Sequence, residues 1–152
     1  GIKVRKLCKK HNVKLIINDN PELALEINAD GCHLGQKDMK LLKAREILKT
    51  KIIGITCHNS IKLAKLAIKH SADYVAFGAF HFSKTKKVKF KANINLLKRA
   101  KRMINAPIVA IGGINSKNYG KLLLNNANFL AISGYIWKNK KLSPKEAINK
   151  FL

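Results

Sequence analysis

Acidic side chains are scarce in this sequence, and two of them stand where carboxylates could bind a metal ion. The 152-residue chain has 8 Asp and Glu residues against 31 Lys and Arg residues. Asp19 and Asp38 each follow a short apolar segment that we predict to be a strand. A few carboxylate oxygens, with water completing the shell, suit Mg²⁺ bridged to a substrate phosphate. We therefore predict a Mg²⁺ site at Asp19 and Asp38; the alternative for Asp38 is an N-cap for a helix from Met39.

A second group of reactive side chains follows another apolar run. Residues Asp73 to Lys87 read DYVAFGAFHFSKTKK, and Gly78 ends the apolar part. Ser83, Thr85 and Lys86 then bring two hydroxyls and a positive charge together, which favours a phosphate-binding loop at the end of a strand. In a chain this rich in lysine, the alternative is a solvated basic loop.

Two glycine-containing turns follow the last two predicted strands. Gly112 and Gly113 precede a helix predicted to be capped by Ser116, and Ser133-Gly134 repeats the arrangement one strand later. Glycine lets backbone N–H groups approach an anion at a helix N-terminus. Two such turns in succession predict a second phosphate site.

Thr56 and His58 follow a further predicted strand. His58 is a candidate proton donor or substrate contact, and the alternative is a histidine that bonds a neighbouring backbone group. We expect Phe129, Tyr135 and Trp137 to be packing residues.

The candidate site residues stand at the carboxyl ends of six near-continuously apolar segments, and each segment is followed by a helical pattern. The predicted strands cover residues 13–19, 32–35, 51–57, 74–78, 108–113 and 127–133. Strands of this kind are buried on both faces of a parallel sheet. Polar residues at every strand end, rather than at one switch point, favour a barrel over an open doubly wound sheet. We predict an α/β fold, a single TIM (β/α)8-type barrel domain over residues 1–152, with six of the eight βα units present.

The composition excludes several classes of protein. Apolar residues make up 47% of the chain and the net charge is +23. Three cysteines without paired spacing argue against disulfides or a zinc site and predict a reducing, cytoplasmic location. No motif supports specific nucleic-acid binding, no run is long enough to span a membrane, and small phosphorylated molecules are the expected partners.

The motifs together resemble thiamine phosphate synthases. IINDNPELALEINADGCHLGQKD is similar to the third and fourth strand regions of that family, and GITCHN, DYVAFGAFHFSKTKK, IVAIGGINSKN and LAISGYI match the next four strand ends in order. The resemblance implies a Mg²⁺-dependent transferase that couples hydroxymethylpyrimidine diphosphate with thiazole phosphate to give thiamine phosphate and pyrophosphate.

The resemblance also implies roles for individual residues. Those implied for substrate binding are Asn18, Ser83, Thr85, Lys86, Gly113, Ile132 and Ser133. Lys86, Thr85 and Thr56 are implied in catalysis, with Thr56 where the family usually has serine. Asp19 and Asp38 are the implied metal ligands.

The chain departs from the family pattern at its start. The Gln-x-Arg-x-Lys motif of the second strand is absent, and we expect the first two barrel strands to be missing. Exposed strand edges would then favour self-association, so a homo-oligomer is one expected outcome. The alternative functions are a thiazole tautomerase-like isomerase, a relative that lacks the paired aspartates, and a non-catalytic barrel that binds a phosphorylated thiamine precursor.

Overall fold

The computed structural model describes residues 1–82 and 89–152, and within them apolar segments form parallel strands followed by helices. The strands are β1 (Ile16–Asn18), β2 (Gly31–Leu34), β3 (Ile52–Thr56), β4 (Tyr74–Gly78), β5 (Ile108–Ile111) and β6 (Phe129–Ala131). The helices are α1 (Ile2–Lys10), α2 (Pro21–Glu26), α3 (Leu41–Leu48), α4 (Ile61–Lys69), α5 (Ile94–Met103), α6 (Tyr119–Leu123), α7 (Gly134–Trp137) and α8 (Pro144–Asn149).

The six strands follow one another in chain order, from β1 to β6, in one sheet. The register pairs Ile16 with Gly31 and Gly31 with Ile52, so β1, β2 and β3 run parallel. A doubly wound sheet would reverse its strand order at a switch point, whereas a barrel-type sheet keeps the chain order. The predicted α/β fold of the TIM type is confirmed, and the described residues contain six strands, each followed by a helix.

The chain divides into two compact units. The first comprises residues 1–56 and 62–75, and the second comprises residues 57–61 and 76–152. Leu34, Leu48 and Ile53 are almost fully buried in the first unit, and Phe77 and Leu97 are fully buried in the second. These side chains come from strands and from the apolar faces of helices, as expected for parallel strands covered by helices. The single domain over residues 1–152 stays a prediction.

One hydrogen-bonding device recurs where three strands begin. The residue just before β2, β4 or β6 makes two hydrogen bonds to one residue at or near the start of the neighbouring strand that comes earlier in the chain. Its side-chain oxygen accepts that residue's N–H, and its own N–H donates to that residue's carbonyl. The pairs are Asp30 with Leu15, Asp73 with Ile53, and Asn128 with Ile108, and the side-chain bonds measure 2.7, 2.7 and 2.9 Å. An alanine precedes the polar residue each time. Each pair therefore clamps two neighbouring strands at their amino ends.

The first two clamps also bind arginine. The carboxylate of Asp30 contacts Arg5 at 2.7 Å, and that of Asp73 contacts Arg45 at 2.6 Å. The Leu15 N–H lowers the pKa of Asp30, the Arg5 charge acts in the same direction, and partial burial opposes both. Arg45 also donates to the carbonyls of Lys49, Lys51 and Ser71, so it binds the ends of two helices and the start of β3.

Local sequence signals located some helix ends correctly and others wrongly. Asn20 caps α2 with Pro21 at its first position, and Ser143 forms a capping box with Glu146, and both patterns are readable in the sequence. The predicted Ser116 cap is wrong, because the cap of α6 is Asn118 and the Ser116 hydroxyl instead bonds the Tyr135 hydroxyl at 2.8 Å.

The predicted packing role of two aromatic side chains is also wrong. Trp137 is 72% exposed and Phe129 is 61% exposed, because β6 is an edge strand and the helix that follows it is a single turn. In the described part of the chain, no helix is long and apolar enough to cross a membrane.

Candidate active site

The carboxyl end of β1 presents the first two candidate residues, Asn18 and Asp19. Asn18 ends the strand and is exposed, in register with His33 of β2. Asp19 follows with a left-handed backbone, φ 66°, and its N–H donates to the His33 carbonyl at 2.8 Å. Aspartate adopts this conformation more readily than most residues. The Asp19 backbone is thus held directly beyond the end of the sheet.

Asp38 is held in the next loop along the sheet. Its Oδ2 accepts the Gly35 N–H at 2.7 Å. Helix α3 begins later than predicted, with Lys40 at its N-cap position and no side-chain cap bond. The alternative role of Asp38 as a helix cap is therefore wrong, because its carboxylate closes the loop after β2 instead.

Both carboxylates act on one buried thiol. Burial raises the pKa of Cys32 to about 11, a backbone hydrogen bond from Asn20 opposes this rise, and the charges of Asp19 and Asp38 each add to it. Asp19 follows β1 and Asp38 follows β2, and these strands pair in parallel, so both residues stand at the same edge of the first unit. Mg²⁺ is commonly bound through one or two carboxylates plus substrate phosphate and water. The donor set of Asp19 and Asp38 fits that pattern.

The rest of the first-unit site centres on Thr56 at the end of β3. Its Oγ1 lies 2.8 Å from His33 Nε2, and His33 Nδ1 lies 2.9 Å from the Tyr74 hydroxyl. The Thr56 carbonyl accepts from the Gln36 side chain at 2.6 Å. Burial lowers the pKa of His33, and the Asp38 charge opposes that effect. Hydrogen bonds therefore hold Thr56 at both its side-chain hydroxyl and its backbone carbonyl.

The second unit contains the two glycine turns. β5 and β6 pair in parallel, with Ile111 opposite Ala131, so the next residues, Gly112 and Ile132, continue side by side. Gly112 and Gly113 have left-handed backbones, φ 101° and 64°. A methyl group on Gly113 would overlap the backbone of residues 81 and 82.

The predicted second turn opens the short helix α7, which has 4 residues. Ser133 is the N-cap residue of α7, and its carbonyl accepts from Ile136 and Trp137. The Ser116–Tyr135 bond joins the loop after β5 to this helix. TIM barrels often bind phosphate between the loops after their last two strands and a short extra helix. Gly113, Ile132 and Ser133 are placed at such a junction.

His58, the predicted proton donor or substrate contact, packs against an aromatic ring. His58 has a left-handed backbone, φ 52°, and stacks on Phe90 with ring centroids 4.2 Å apart. Burial lowers its pKa. The predicted catalytic or substrate-binding residues Ser83, Thr85 and Lys86 lie outside the described residues.

Comparison with known proteins identifies the family. A family model for thiamine monophosphate synthase matches residues 1–136. The chain belongs to this family. Its relatives include the thiamine-phosphate synthase of Pelagibacter ubique, 66% identical over 150 residues, which are 99% of this chain and 72% of that protein. The thiamine-phosphate synthase of Nitrosomonas eutropha is 46% identical over 134 residues, 88% of this chain and 63% of that protein.

A solved structure shows the same fold. Thiamine phosphate pyrophosphorylase from Pyrococcus furiosus superposes with a TM-score of 0.88 at 26% identity, covering 97% of this chain and 69% of that one. The chain thus spans about two thirds of the length of these thiamine phosphate synthase relatives. The predicted family is confirmed, and family membership supports the predicted role in thiamine biosynthesis.

The residues that surround Thr56 were not predicted from the sequence. His33 and Tyr74 lie 41 positions apart in the chain, and only the strand order brings them together. A signal was present in the sequence, because His33 is a polar residue inside an apolar strand and buried polar side chains need a partner.

Proposed function

We propose that this chain is a thiamine phosphate synthase, which transfers the pyrimidinylmethyl group of hydroxymethylpyrimidine diphosphate to thiazole phosphate. The observation that carries the proposal is the placement of two carboxylates, Asp19 and Asp38, just beyond the carboxyl ends of the neighbouring strands β1 and β2. The family resemblance implies that thiazole tautomerases lack this pair, so it favours the synthase. The identity of 66% to the Pelagibacter ubique synthase supports the same reaction.

The proposed reaction breaks one bond and forms another. The C–O bond between the pyrimidinylmethyl carbon and the diphosphate breaks, and its electron pair leaves with pyrophosphate. The thiazole nitrogen then donates its lone pair to the carbon and forms the new C–N bond. No protein nucleophile is required by this scheme. The protein contributes by positioning the two substrates and stabilising the charge that develops on the leaving group.

The residues of the first unit would hold the diphosphate end. Asp19 and Asp38 would hold Mg²⁺, which when bound neutralises charge on the diphosphate. Asn18 and Thr56 would contact the same substrate through their amide and hydroxyl groups. The proposed contacts of Ser83, Thr85 and Lys86 rest on the family resemblance alone.

The residues of the second unit would hold the thiazole phosphate. Gly113 would contact its oxygens through the backbone, as would Ile132 and Ser133 at the start of α7. The left-handed backbone of Gly113, φ 64°, favours glycine, and the missing side chain leaves room for the backbone of residues 81 and 82. A cytoplasmic location belongs to the same proposal, because the cysteines at positions 8, 32 and 57 are free thiols.

Variants of the two carboxylates test the proposal. Asp19→Asn and Asp38→Asn should each lower kcat/KM for thiamine phosphate formation by about 100-fold, because removing a metal ligand removes several kcal/mol of charge stabilisation. Both should also weaken Mn²⁺ binding, measured by water-proton relaxation. Glu26→Gln is the matched control, since it removes an exposed carboxylate from α2. Full activity in either aspartate variant would contradict the proposal, as would equal activity without a divalent cation.

A further inference from the structure

Three side chains of the first unit form a continuous hydrogen-bonded chain. The Tyr74 hydroxyl lies 2.9 Å from His33 Nδ1, and His33 Nε2 lies 2.8 Å from Thr56 Oγ1. The His33 and Tyr74 rings are stacked, with centroids 5.5 Å apart and planes 22° from parallel. The imidazole is therefore held on both nitrogens and on its face. Thr56 is the last residue of β3 and is the member of the three that contacts substrate in the proposed function.

The sheet register builds this arrangement. His33 of β2 is in register with Gly54 of β3, and Thr56 lies two residues further along β3, on the same face of the sheet. A methyl group on Gly54 would overlap the Tyr74 ring. The missing side chain at Gly54 thus makes the space in which the tyrosine reaches the histidine.

The direction of the hydrogen bonds follows from counting protons. A neutral imidazole carries one N–H, so one of its nitrogens donates and the other accepts. In one order, Tyr74 donates to Nδ1 and Nε2–H donates to Thr56, which leaves the threonine proton available. In the reverse order, Thr56 donates to Nε2 and Nδ1–H donates to Tyr74, which leaves the phenol proton available.

The first order is the better one for this site. The Tyr74 ring lies over Gly54 and stacks on His33, and burial raises the pKa of its hydroxyl to about 12. An unpaired donor costs more at a buried group than at one that water or substrate can reach. Thr56 is the last residue of β3, at the sheet edge where ligands bind in this type of fold.

We propose that Tyr74 and His33 are positioning residues that hold Thr56 as a hydrogen-bond donor to substrate. The proposal rests on the proposed function, because it takes the end of β3 as part of the substrate site. Hydrogen bonding from Tyr74 fixes the tautomer of His33, and the Nε2–H then occupies a lone pair of Thr56. The threonine proton points to an acceptor atom of the bound substrate.

NMR of the histidine ring tests the tautomer without any turnover. Long-range ¹H–¹⁵N correlation distinguishes a protonated from an unprotonated ring nitrogen, and a spectrum of His33→Asn assigns the signal among the five histidines. We expect a protonated Nε2 and an unprotonated Nδ1 in His33. A protonated Nδ1 with an unprotonated Nε2 would overturn the proposal even if the chain proved to be an active synthase.

A double-mutant cycle tests the effect on catalysis. Thr56→Val should lower kcat/KM about 10-fold or more, the scale of one lost hydrogen bond to substrate, and Tyr74→Phe about 5-fold. Tyr74→Phe should have no further effect in the Thr56→Val background, because it acts through that hydroxyl. Thr56→Ser should retain activity within about threefold and remain sensitive to Tyr74→Phe.

Controls separate positioning from loss of structure. Tyr74→Phe keeps the ring beside Gly54, so its melting temperature should stay close to that of the parent chain. Tyr119→Phe removes a phenol that packs on Phe151 and should leave kcat/KM unchanged. Equal losses from Tyr74→Phe in both backgrounds would overturn the proposal, since the tyrosine would then act independently of Thr56. Absence of synthase activity in the parent chain would contradict the proposed function and leave the NMR test in force.

Discussion

Asp73 holds three parts of the first unit together, and replacing it by alanine tests how much this clamp stabilises the fold. Its Oδ2 accepts the Ile53 N–H at 2.7 Å and contacts Arg45 at 2.6 Å. Ile53 is fully buried, so Asp73→Ala removes an acceptor from an N–H that solvent does not reach. Asp73→Asn keeps a side-chain oxygen at this position, as Asn128 does in the second unit.

The expected loss is the sum of two contributions. A buried N–H without its acceptor costs about 1–3 kcal/mol. The ion pair adds little, about 0–1 kcal/mol, because the Asp73 side chain is 47% exposed and solvent screens the charge. The two ranges sum to about 1–4 kcal/mol, and we expect Asp73→Ala to lower the free energy of unfolding by about 2–3 kcal/mol, the middle of that range. Asp73→Asn should lower it by less than about 1 kcal/mol.

Urea denaturation followed by circular dichroism measures this difference. With an m-value of about 2 kcal/mol per M, the midpoint should fall by about 1 M or more in Asp73→Ala and by less than about 0.5 M in Asp73→Asn. Equal midpoints for the two variants would refute the reasoning, because the hydrogen bond to Ile53 would then contribute nothing beyond the charge.

Three further predictions concern other parts of the chain. The pKa of Asp30 is lower in the folded chain than in the unfolded one, so its ionised carboxylate stabilises the fold above the unfolded pKa of about 4. This contribution is lost as the pH falls through the lower, folded pKa. The difference in free energy of unfolding between the parent chain and Asp30→Asn, measured by urea titration, should therefore narrow below about pH 4. Gly113→Ala should weaken thiazole phosphate binding at least about 10-fold, measured by calorimetry, because φ 64° and the backbone of residues 81 and 82 oppose a side chain there. The control variant Gly120→Ala should bind thiazole phosphate as the parent chain does, since the space around Gly120 is open. Cys8 should react rapidly with a thiol reagent at pH 8, while the two buried thiols, whose pKa values burial raises to about 11 and 12, stay unmodified until unfolding; rapid labelling of more than one thiol would contradict this.

The sequence was informative about strands and family because those signals are local. Near-continuous apolar runs such as residues 52–55 need burial on both faces, which predicts a parallel sheet without any structure. The caps at Asn20 and Ser143 are likewise indicated by two or three neighbouring residues. The family followed from motifs at successive strand ends, each readable by itself.

Two helix caps that the sequence suggested are absent because another group bonds the side chain. Ser116 has the right chemistry for a helix cap, but the Tyr135 hydroxyl bonds it instead. Asp38 has a good position for a cap, yet its carboxylate binds the Gly35 N–H inside the loop. Tyr135 lies 19 positions from Ser116, whereas Gly35 lies three positions from Asp38 in the same loop, and capping propensity alone predicts neither bond.

The hydrogen-bonded series of Tyr74, His33 and Thr56 was not predicted from the sequence. It depends on the register that places His33 beside Gly54 and on the ring that fills the space above that glycine. Register is set by the folded sheet and not by any short motif. The three clamps left a trace, since an alanine precedes Asp30, Asp73 and Asn128 alike, but only the structure shows why this pair of residues recurs.

Thiamine phosphate formation by this chain is the most direct test of the proposed function. The purified 152-residue protein would be mixed with hydroxymethylpyrimidine diphosphate, thiazole phosphate and Mg²⁺, and the product quantified by chromatography. We predict thiamine phosphate above the enzyme-free background, falling to background when Asp19 and Asp38 are both replaced by asparagine. No product from the parent chain while both substrates still bind to it would contradict the assignment of this chain as a synthase.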